Sequence, residues 1–358
     1  MKKKTGLLFL AGEKAYRKIK KDGLSPDDVK VCVSASGAAK WIVLYGLDKA
    51  VFGNWLNKRQ TPVNFFGTSI GAWKFAAACC KNSDKAFDLL VDLYINQRYG
   101  KDAGRKEVSE TALRIVEELL TDNRIDEILS HPFYRICFSA VRCKVPLQGK
   151  SFIYKYLFLL KIALSNFGSR KNLAKYFERT FFMDNRDIPD FSGLNDFKLN
   201  NTFLNSQNFK PALIASGSIP LIMDGIQNIP GTLKGEYIDG GIIDYHPVFG
   251  FASGDEEIVL YHHFYDYLIP GWFDKSLKWR KAGSRAMENI LLVCPSREFV
   301  SSLPGEKIPD RNDFKRFKGR DELRISNWNK VKEQSLVLGE EFLEAVETGA
   351  IRDFVIKI

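Results

Sequence analysis

Short apolar runs alternate with amphipathic segments along most of the chain. Runs of β-branched and aromatic residues bounded by turn residues indicate strands, whereas apolar residues spaced three and four apart indicate helices. On this basis we predict strands near 29–34, 62–67, 235–239, 257–263 and 289–294. Helices are predicted near 12–21, 37–52, 70–81, 84–97, 107–120 and 326–346. The alternation favours an α/β fold, a three-layer α/β/α sandwich around a mostly parallel sheet.

The region 100–200 interrupts this alternation, and its composition indicates a mainly helical segment. A chain of 358 residues is long enough for one elaborated domain. We therefore predict a single α/β domain over 1–358, in which 100–200 forms a helical, basic cap insertion. Residues 300–317 are rich in Pro, Gly and charged residues, which indicates a surface loop. The apolar stretch in 5–12 is too short for a signal peptide, so we interpret it as mature protein.

The segment Gly67-Thr68-Ser69-Ile70-Gly71 carries the sharpest chemical signal. It follows a β-branched and aromatic run and precedes a run of helix formers. A serine between two glycines at a strand-to-helix turn is typical of a nucleophile elbow, because side chains at the flanking positions would collide where strand and helix cross. Ser69 is therefore the candidate nucleophile, and Gly67 and Gly71 are the glycines that the turn requires.

Two further segments place small or acidic residues at the ends of predicted strands. In Ser36–Trp41, a turn of small residues before a helix collects backbone N–H groups, which can hold an anion or an oxyanion. Asp239 ends a short apolar strand and precedes Gly240, so its carboxylate can be aimed at a partner from another strand. Each segment taken alone also fits an ordinary turn.

In order, spacing and flanking residues, the three segments together resemble the patatin-like phospholipase family. By this resemblance, Ser36–Trp41 corresponds to the oxyanion loop of the family and Gly67–Gly71 to its nucleophile elbow. Asp239-Gly240 corresponds to the Asp-Gly pair that lies far from the elbow in sequence. Ala212–Pro220, shortly before the Asp, also resembles a segment that members of the family carry. The resemblance covers residues 29–82 and 205–250.

This resemblance implies a serine lipid acyl hydrolase of the phospholipase A or lysophospholipase type, acting on a phospholipid or another acyl ester without a metal or other cofactor. Ser69 would be the nucleophile and Asp239 its only side-chain partner, a dyad without histidine. The N–H groups of Gly37 and Ala38 would form the oxyanion hole. The headgroup, the acyl chain, the position cleaved and the oligomeric state are left open.

The oxyanion loop departs from the family pattern, which has consecutive glycines followed by an arginine. Here Gly37 stands alone between Ser36 and Ala38, and Lys40 takes the position of the arginine. Backbone N–H groups can donate hydrogen bonds whatever side chain the residue carries. The lysine ammonium, however, lacks the planar array of donors of the arginine guanidinium. A catalytically weak lipid-binding or scaffold protein on the same fold is therefore one alternative.

An α/β-hydrolase esterase with a Ser-His-Asp triad is the second alternative. The chain contains four histidines. Three of them, His246, His262 and His263, follow Asp239, which is the chain order of that class. However, His246 lies in a predicted turn, and the other two lie on a predicted strand, where a structural histidine is commoner.

The net charge of +10 is concentrated in one stretch. Residues 128–177 contain no Asp or Glu and nine Lys or Arg, and within them Ser151–Asn166 is strongly apolar. Lysines among Phe, Tyr and Leu are typical of an interfacial segment, so we predict that Lys155 and Lys161 contact an anionic membrane surface. A cap helix that packs on the core is the alternative. The sequence contains no nucleic-acid-binding motif, so we predict that the protein does not bind nucleic acid.

The six cysteines lie mostly in apolar runs and form no C-x-x-C pair. This arrangement favours buried thiols in a reducing compartment over a disulfide framework or a zinc site. We therefore predict a cytoplasmic protein that binds membranes peripherally.

Overall fold

The computed structural model describes residues 5–100, 103–187, 189, 191, 194–251, 254–280 and 283–358. Within these residues, the apolar and β-branched runs form one mixed sheet of eleven strands. The strands are β1 Leu7–Ala11, β2 Val29–Ser34, β3 Val63–Thr68, β4 Tyr134–Cys143, β5 Phe177–Met183, β6 Leu199–Phe203, β7 Ile226–Gln227, β8 Glu236–Asp239, β9 Ile258–His262, β10 Ile290–Pro295 and β11 Val355–Lys357.

The strand order is β11-β1-β10-β9-β2-β3-β4-β5-β6, with β8 paired to β4 and β7 paired to β8. The central strands from β10 to β4 pair in parallel throughout. Their residues are almost all buried, as in parallel sheets that are covered on both faces. Helices lie on both sides of the sheet, so the predicted α/β/α sandwich with a mostly parallel sheet is confirmed.

The helices overlap the six predicted segments, although 326–346 is divided between α12 and α13 and further helices lie outside those segments. The α-helices are α1 Glu13–Asp22, α2 Tyr45–Asp48, α3 Ile70–Ala78, α4 Ser83–Ile95, α5 Arg105–Leu119, α6 Asp122–Ser130, α7 Phe152–Gly168, α8 Phe209–Gly217, α9 Ser284–Met287, α10 Arg297–Ser302, α11 Asp313–Arg316, α12 Asp321–Gln334, α13 Leu336–Glu347 and α14 Ile351–Phe354. The helix predicted over 37–52 is a 3-10 segment, α2 and a π segment in succession, Ala38–Leu44, Tyr45–Asp48 and Lys49–Trp55.

The prediction of a mainly helical cap insertion over 100–200 is wrong in part, because the region also forms strands of the main sheet. It contains α5, α6 and α7, but it also supplies β4, β5 and β6 to the main sheet. Strand β4 pairs with β3 on one side and with β5 on the other. The position of β4 depends on pairing with residues far away in sequence, so the local spacing of apolar residues does not predict it.

Helix α7 forms the apolar part of the basic stretch and presents two different faces. Lys155, Leu159, Ile162 and Asn166 are buried against the rest of the protein. Lys155 is only 5% exposed, so the prediction that it contacts a membrane is wrong. Lys161 is exposed, and its contact with a membrane stays a prediction. Within the described residues, no helix has the length and apolar character needed to cross a bilayer.

A buried ion pair connects Lys74 of α3 with Asp48 of α2. Lys74 Nζ donates to both carboxylate oxygens of Asp48, at 2.9 and 3.0 Å. Nδ1 of His262 lies 2.9 Å from the same carboxylate, and all three side chains are buried. The six cysteines are likewise buried, as the sequence predicts.

Replacing Lys74 with methionine is expected to lower the free energy of unfolding by about 3 kcal/mol or more, because the Asp48 carboxylate would stay buried without its main partner. Lys85→Met, at an exposed position of α4, is the matched control and should change stability by less than about 0.5 kcal/mol. Urea denaturation measures both. Equal stabilities of the two variants would show that the buried pair does not hold α3.

Candidate active site

Ser69 lies on the sharp turn between β3 and α3. Its φ of +57° is a strained value for a residue with a side chain. A Cβ on Gly67 would approach the backbone N of Ala72 to 2.6 Å, and a Cβ on Gly71 would approach the backbone O of Ser34 to 2.5 Å. Neither position admits a larger residue without backbone movement. The strand–turn–helix geometry predicted from the sequence is therefore present.

Strand β4 brings Asp239 to this turn. Its first half pairs in parallel with β3, ending with Thr68 opposite Ser139. Its second half pairs antiparallel with β8, beginning with Asp239 opposite Ala140. Strands β3 and β8 therefore approach each other end to end along one edge of β4. Ser69 and Asp239, which are 170 positions apart in sequence, meet where the two strands end.

The hydrogen bonds around these two residues hold them in a fixed geometry. Ser69 Oγ donates to Asp239 Oδ2 at 2.9 Å, and both side chains are buried. The other carboxylate oxygen, Oδ1, accepts the N–H of Gly241 at 2.7 Å, within the turn that Gly240 begins. Burial raises the pKa of Asp239 to about 6, although the bonds from Gly241 and Ser69 act in the opposite direction.

The segment Ala212–Pro220 supports the turn from the opposite side. The N–H of Ser69 donates to Ser216 Oγ at 3.0 Å, and Ser216 Oγ donates to the carbonyl of Ser139 at 2.7 Å. The N–H of Asp239 donates to the carbonyl of Ser218 at 2.9 Å. This segment, part of α8 and the turn after it, thus fixes the backbones of both residues of the pair.

The predicted oxyanion loop lines the same cavity as Ser69 and Asp239. Gly37 and Ala38 contribute to its wall, and Ala38 begins a 3-10 helix with a φ of +50°. The first N–H groups of a helix have no acceptor within it, so they are available to an oxyanion. Lys40 lines the cavity as well, and its Nζ donates to Tyr245 Oη at 3.2 Å.

The four histidines have structural partners instead. Nδ1 of His246 accepts the N–H of Ile269, and Nδ1 of His263 accepts the N–H of Tyr265, both at 2.9 Å. His262 binds Asp48, and Nδ1 of His131 accepts the N–H of Tyr134. Within the described chain, no histidine forms a hydrogen bond with Ser69 or Asp239. The Ser-His-Asp alternative is therefore wrong.

Two adjacent cavities meet at Ser69, and we call them the polar lobe and the apolar lobe. The polar lobe, of about 380 Å³, is lined by Asp239 and by the predicted oxyanion loop. The apolar lobe, of about 660 Å³, lies between α3, α5 and α8. Residues that line both lobes are Ala38, Ser69, Ile219, Arg311 and Asn312.

Sequence analysis missed several residues of these cavities. Trp272 and Lys275 line the polar lobe, and Arg311 lines both lobes. Residues 300–317, predicted as a surface loop, instead contain the end of α10, all of α11 and part of the cavity wall. No sequence pattern distinguishes these positions, because tertiary packing alone brings them to the turn at Ser69.

A model of the patatin-like phospholipase family matches residues 33–252, more than half of the chain and all of the elements that form the Ser69–Asp239 pair. The chain belongs to the patatin-like phospholipase family. Patatin-like phospholipases act on lipid substrates.

Among solved structures, VipD from Legionella pneumophila is similar, with 15% identity and a TM-score of 0.29. The match covers 70% of this patatin-like chain and 52% of VipD, so the chain spans about half the length of that protein. No curated protein matches the sequence.

Proposed function

We propose that the protein is a serine lipid acyl hydrolase that uses Ser69 as nucleophile and Asp239 as general base. The observation that carries the proposal is the 2.9 Å hydrogen bond between Ser69 Oγ and Asp239 at the meeting point of two cavities. Serine is unreactive at its own pKa and needs a base within hydrogen-bond reach. A carboxylate whose pKa is raised toward neutrality is a better base than one near 3.9.

The reaction has two steps. Asp239 accepts the proton of Ser69 Oγ as the oxygen attacks the ester carbonyl, and the N–H groups of Gly37 and Ala38 stabilise the oxyanion. Each such donor contributes about 3 kcal/mol to the transition state. The C–O bond to the alcohol then breaks, and Asp239 returns the proton to the leaving oxygen. In the second step Asp239 takes a proton from a water molecule as the water oxygen attacks the acyl carbonyl. The bond to Ser69 Oγ then breaks, Asp239 returns the proton to Oγ, and the acyl group leaves as a carboxylic acid.

A fluorophosphonate probe tests this assignment, because it phosphonylates only activated serines. We expect covalent labelling at Ser69, located by peptide mass spectrometry. The labelling rate should fall about tenfold per pH unit below pH 6, because protonation of Asp239, whose pKa is raised to about 6, removes the base. Above that pH the carboxylate is ionised and the rate should level off.

Labelling at another serine would contradict the assignment of Ser69. Absence of labelling in a folded protein would instead favour the lipid-binding or scaffold alternative, which the single glycine of the oxyanion loop motivates. A midpoint near pH 4 would show that burial does not raise the pKa of Asp239.

We further propose that the exposed face of α7 docks the enzyme on anionic membranes. Ile153, Leu157, Leu160, Leu164 and Phe167 are all exposed, and their spacing places them on one side of the helix. Leu164 is 68% exposed and Ile153 is 69% exposed. A continuous apolar stripe of this kind on a water-facing helix is typical of an interfacial helix.

The charges around the stripe indicate an anionic surface as its partner. Exposed lysines beside the stripe and in the neighbouring loops are Lys144, Lys150, Lys161, Lys171 and Lys175. Each cation near an anionic membrane contributes about 1 kcal/mol to binding.

The C-terminal end of the stripe contacts the segment that lines part of the polar lobe. Phe167 contacts exposed Trp279, with ring centroids 5.9 Å apart. Asn166 Nδ2 donates to Asp274 Oδ1 at 2.8 Å. The segment that contains Asp274 and Trp279 also supplies Lys275 to the polar lobe. Docking through α7 would therefore bring a wall of the active-site cavity close to the lipid surface.

A further inference from the structure

The turn that carries Asp239 is closed by Asp244, and we call residues 239–244 the base turn. The N–H of Asp244 donates to the carbonyl of Gly240 at 2.9 Å, and the Asp244 side chain is buried. The carbonyl of the next residue, Tyr245, accepts the N–H of Ser36 at 2.9 Å. The base turn and the residue after it therefore hold both the proposed base and the start of the oxyanion loop.

The base turn is packed directly against its neighbours. A Cβ on Gly241 would approach Ser36 Oγ to 2.7 Å, and a Cβ on Gly240 would approach the backbone O of Ser139 to 2.5 Å. A small displacement of the turn would therefore change its contacts with the oxyanion loop and with β4. It would also move the proposed base relative to the nucleophile.

The side chain of Asp244 is held by Arg179, a buried arginine of β5. Arg179 Nε donates to Asp244 Oδ2 and Nη2 donates to Oδ1, both at 2.8 Å. Two parallel hydrogen bonds of this kind fix the orientation of the carboxylate as well as its distance. Arg179 lies opposite Val141 of β4, and Val141 lies opposite Ile238, the residue before Asp239. The arginine therefore stands beside the base turn, across β4 from β8.

A second arginine and a second carboxylate complete the arrangement. Arg179 Nη1 donates to Asp196 Oδ1 at 2.7 Å, and Arg170 Nη1 donates to Asp196 Oδ2 at 2.7 Å. Arg170 Nη2 also donates to the carbonyl of Ile243, which belongs to the base turn. The turn is thus bound through a side chain at Asp244 and through its backbone at Ile243.

Stability alone does not account for a buried ion pair at this place. The guanidinium of Arg179 stands against the rings of Phe197 and Phe249, whose centroids are 5.0 and 5.1 Å away. In such apolar surroundings the loss of hydration offsets much of the attraction between the charges, and apolar residues of similar volume often stabilise a fold equally well. Apolar residues cannot, however, fix the direction of the Asp244 side chain.

We infer that Arg179 is a positioning residue of the reaction, which acts through Asp244 to hold the base turn at the distance from Ser69 and from the oxyanion loop that catalysis needs. This inference rests on the proposed function and adds a residue to it. Proton transfer requires that Ser69 Oγ and the Asp239 carboxylate stay within hydrogen-bond reach. A displacement of about 1 Å can slow a reaction by about a hundredfold.

Replacing Arg179 with methionine and Asp244 with leucine together tests the inference. The double variant removes both charges of the pair, and Asp196 keeps Arg170 as its partner. We expect a folded protein that denatures at a urea concentration similar to that of the wild type. Its kcat on a short-chain p-nitrophenyl ester should fall about tenfold or more, with a smaller change in KM.

The pH dependence of kcat distinguishes positioning from a loss of stability. Burial raises the pKa of Asp239, and the hydrogen bond from the N–H of Gly241 opposes that effect. A loosened base turn weakens this bond, so the pKa of Asp239 should rise and the acid limb of the profile should move to higher pH. Lys275 and Arg311, which also lower the pKa of Asp239, are unchanged in the variant.

Arg142→Met with Glu178→Leu is the matched control, because it removes a 2.9 Å ion pair between the same two strands, β4 and β5. These residues lie one position along from Val141 and Arg179, so their side chains point to the opposite face of the sheet. The control should keep the wild-type kcat and pH profile. Arg179→Lys keeps a positive charge but loses the planar pair of donors, so it should also lower kcat, by a smaller factor.

Wild-type kcat and a wild-type pH profile in the folded double variant would overturn the inference and leave the proposed function standing. Equal losses in the double variant and its control would also overturn it, because they would indicate a general disturbance of the sheet. If the double variant does not fold, wild-type values in Arg179→Lys would overturn the inference. Absence of hydrolysis by a folded wild type would overturn the proposed function itself.

Discussion

Replacing Ser69 with alanine is expected to reduce the hydrolysis of a short-chain p-nitrophenyl ester by about a thousandfold or more, the loss typical of removing a catalytic nucleophile or its base. Asp239→Asn should cause a similar loss, because the amide keeps the shape of the carboxylate but cannot accept the proton of Ser69 Oγ. The double variant should be hardly slower than either single variant, since the two residues work as one device and such effects are not additive.

Ser301→Ala and Asp353→Asn make the same chemical changes at exposed positions, and they should retain wild-type rates. Thermal unfolding of all variants separates loss of chemistry from loss of fold. Multiplicative losses in the double variant would show that Ser69 and Asp239 act independently. If Ser69→Ala kept more than about a tenth of the wild-type activity, the nucleophile would have to be another residue.

Replacing Leu157 and Leu164 together with glutamate is expected to weaken binding to anionic vesicles by at least about a hundredfold. Transfer of one exposed leucine from water to an apolar medium contributes about 1.5 to 3 kcal/mol, and both leucines lie on the exposed stripe of α7. The new carboxylates add repulsion from the anionic lipid. Sedimentation with phosphatidylserine-containing vesicles measures the effect.

The matched control is Leu233→Glu with Leu323→Glu, two exposed leucines outside α7, and it should bind vesicles like the wild type. Wild-type binding should also weaken as salt rises, since the attraction of the lysines is screened within about 8 Å at physiological ionic strength. Hydrolysis of the water-soluble p-nitrophenyl ester should survive in the α7 variant, because Ser69 and Asp239 are untouched. Equal sedimentation of the α7 variant and its control would show that the stripe does not contact lipid.

The strand–turn–helix geometry around Ser69 could be predicted from local sequence alone. A β-branched run, two small residues around a serine and a run of helix formers determine β3, the turn and α3, because each depends on neighbours in the chain. The two glycines are needed because the backbones of strand and helix approach within 3 Å of the missing Cβ positions. The predicted strands at 29–34, 235–239, 257–263 and 289–294 were found for the same reason.

Tertiary structure alone decided which residues surround that turn. Strand β4 aligns β3 with β8 end to end, yet its own segment was predicted as part of a helical cap, because its pairing partners are distant in sequence. The segment Ser151–Asn166 is apolar around most of the helix, so the sequence could not show that Lys155 faces inward and Leu164 outward. Lys275 and Arg311 reach the polar lobe through loops, whose paths are set by packing rather than by periodicity.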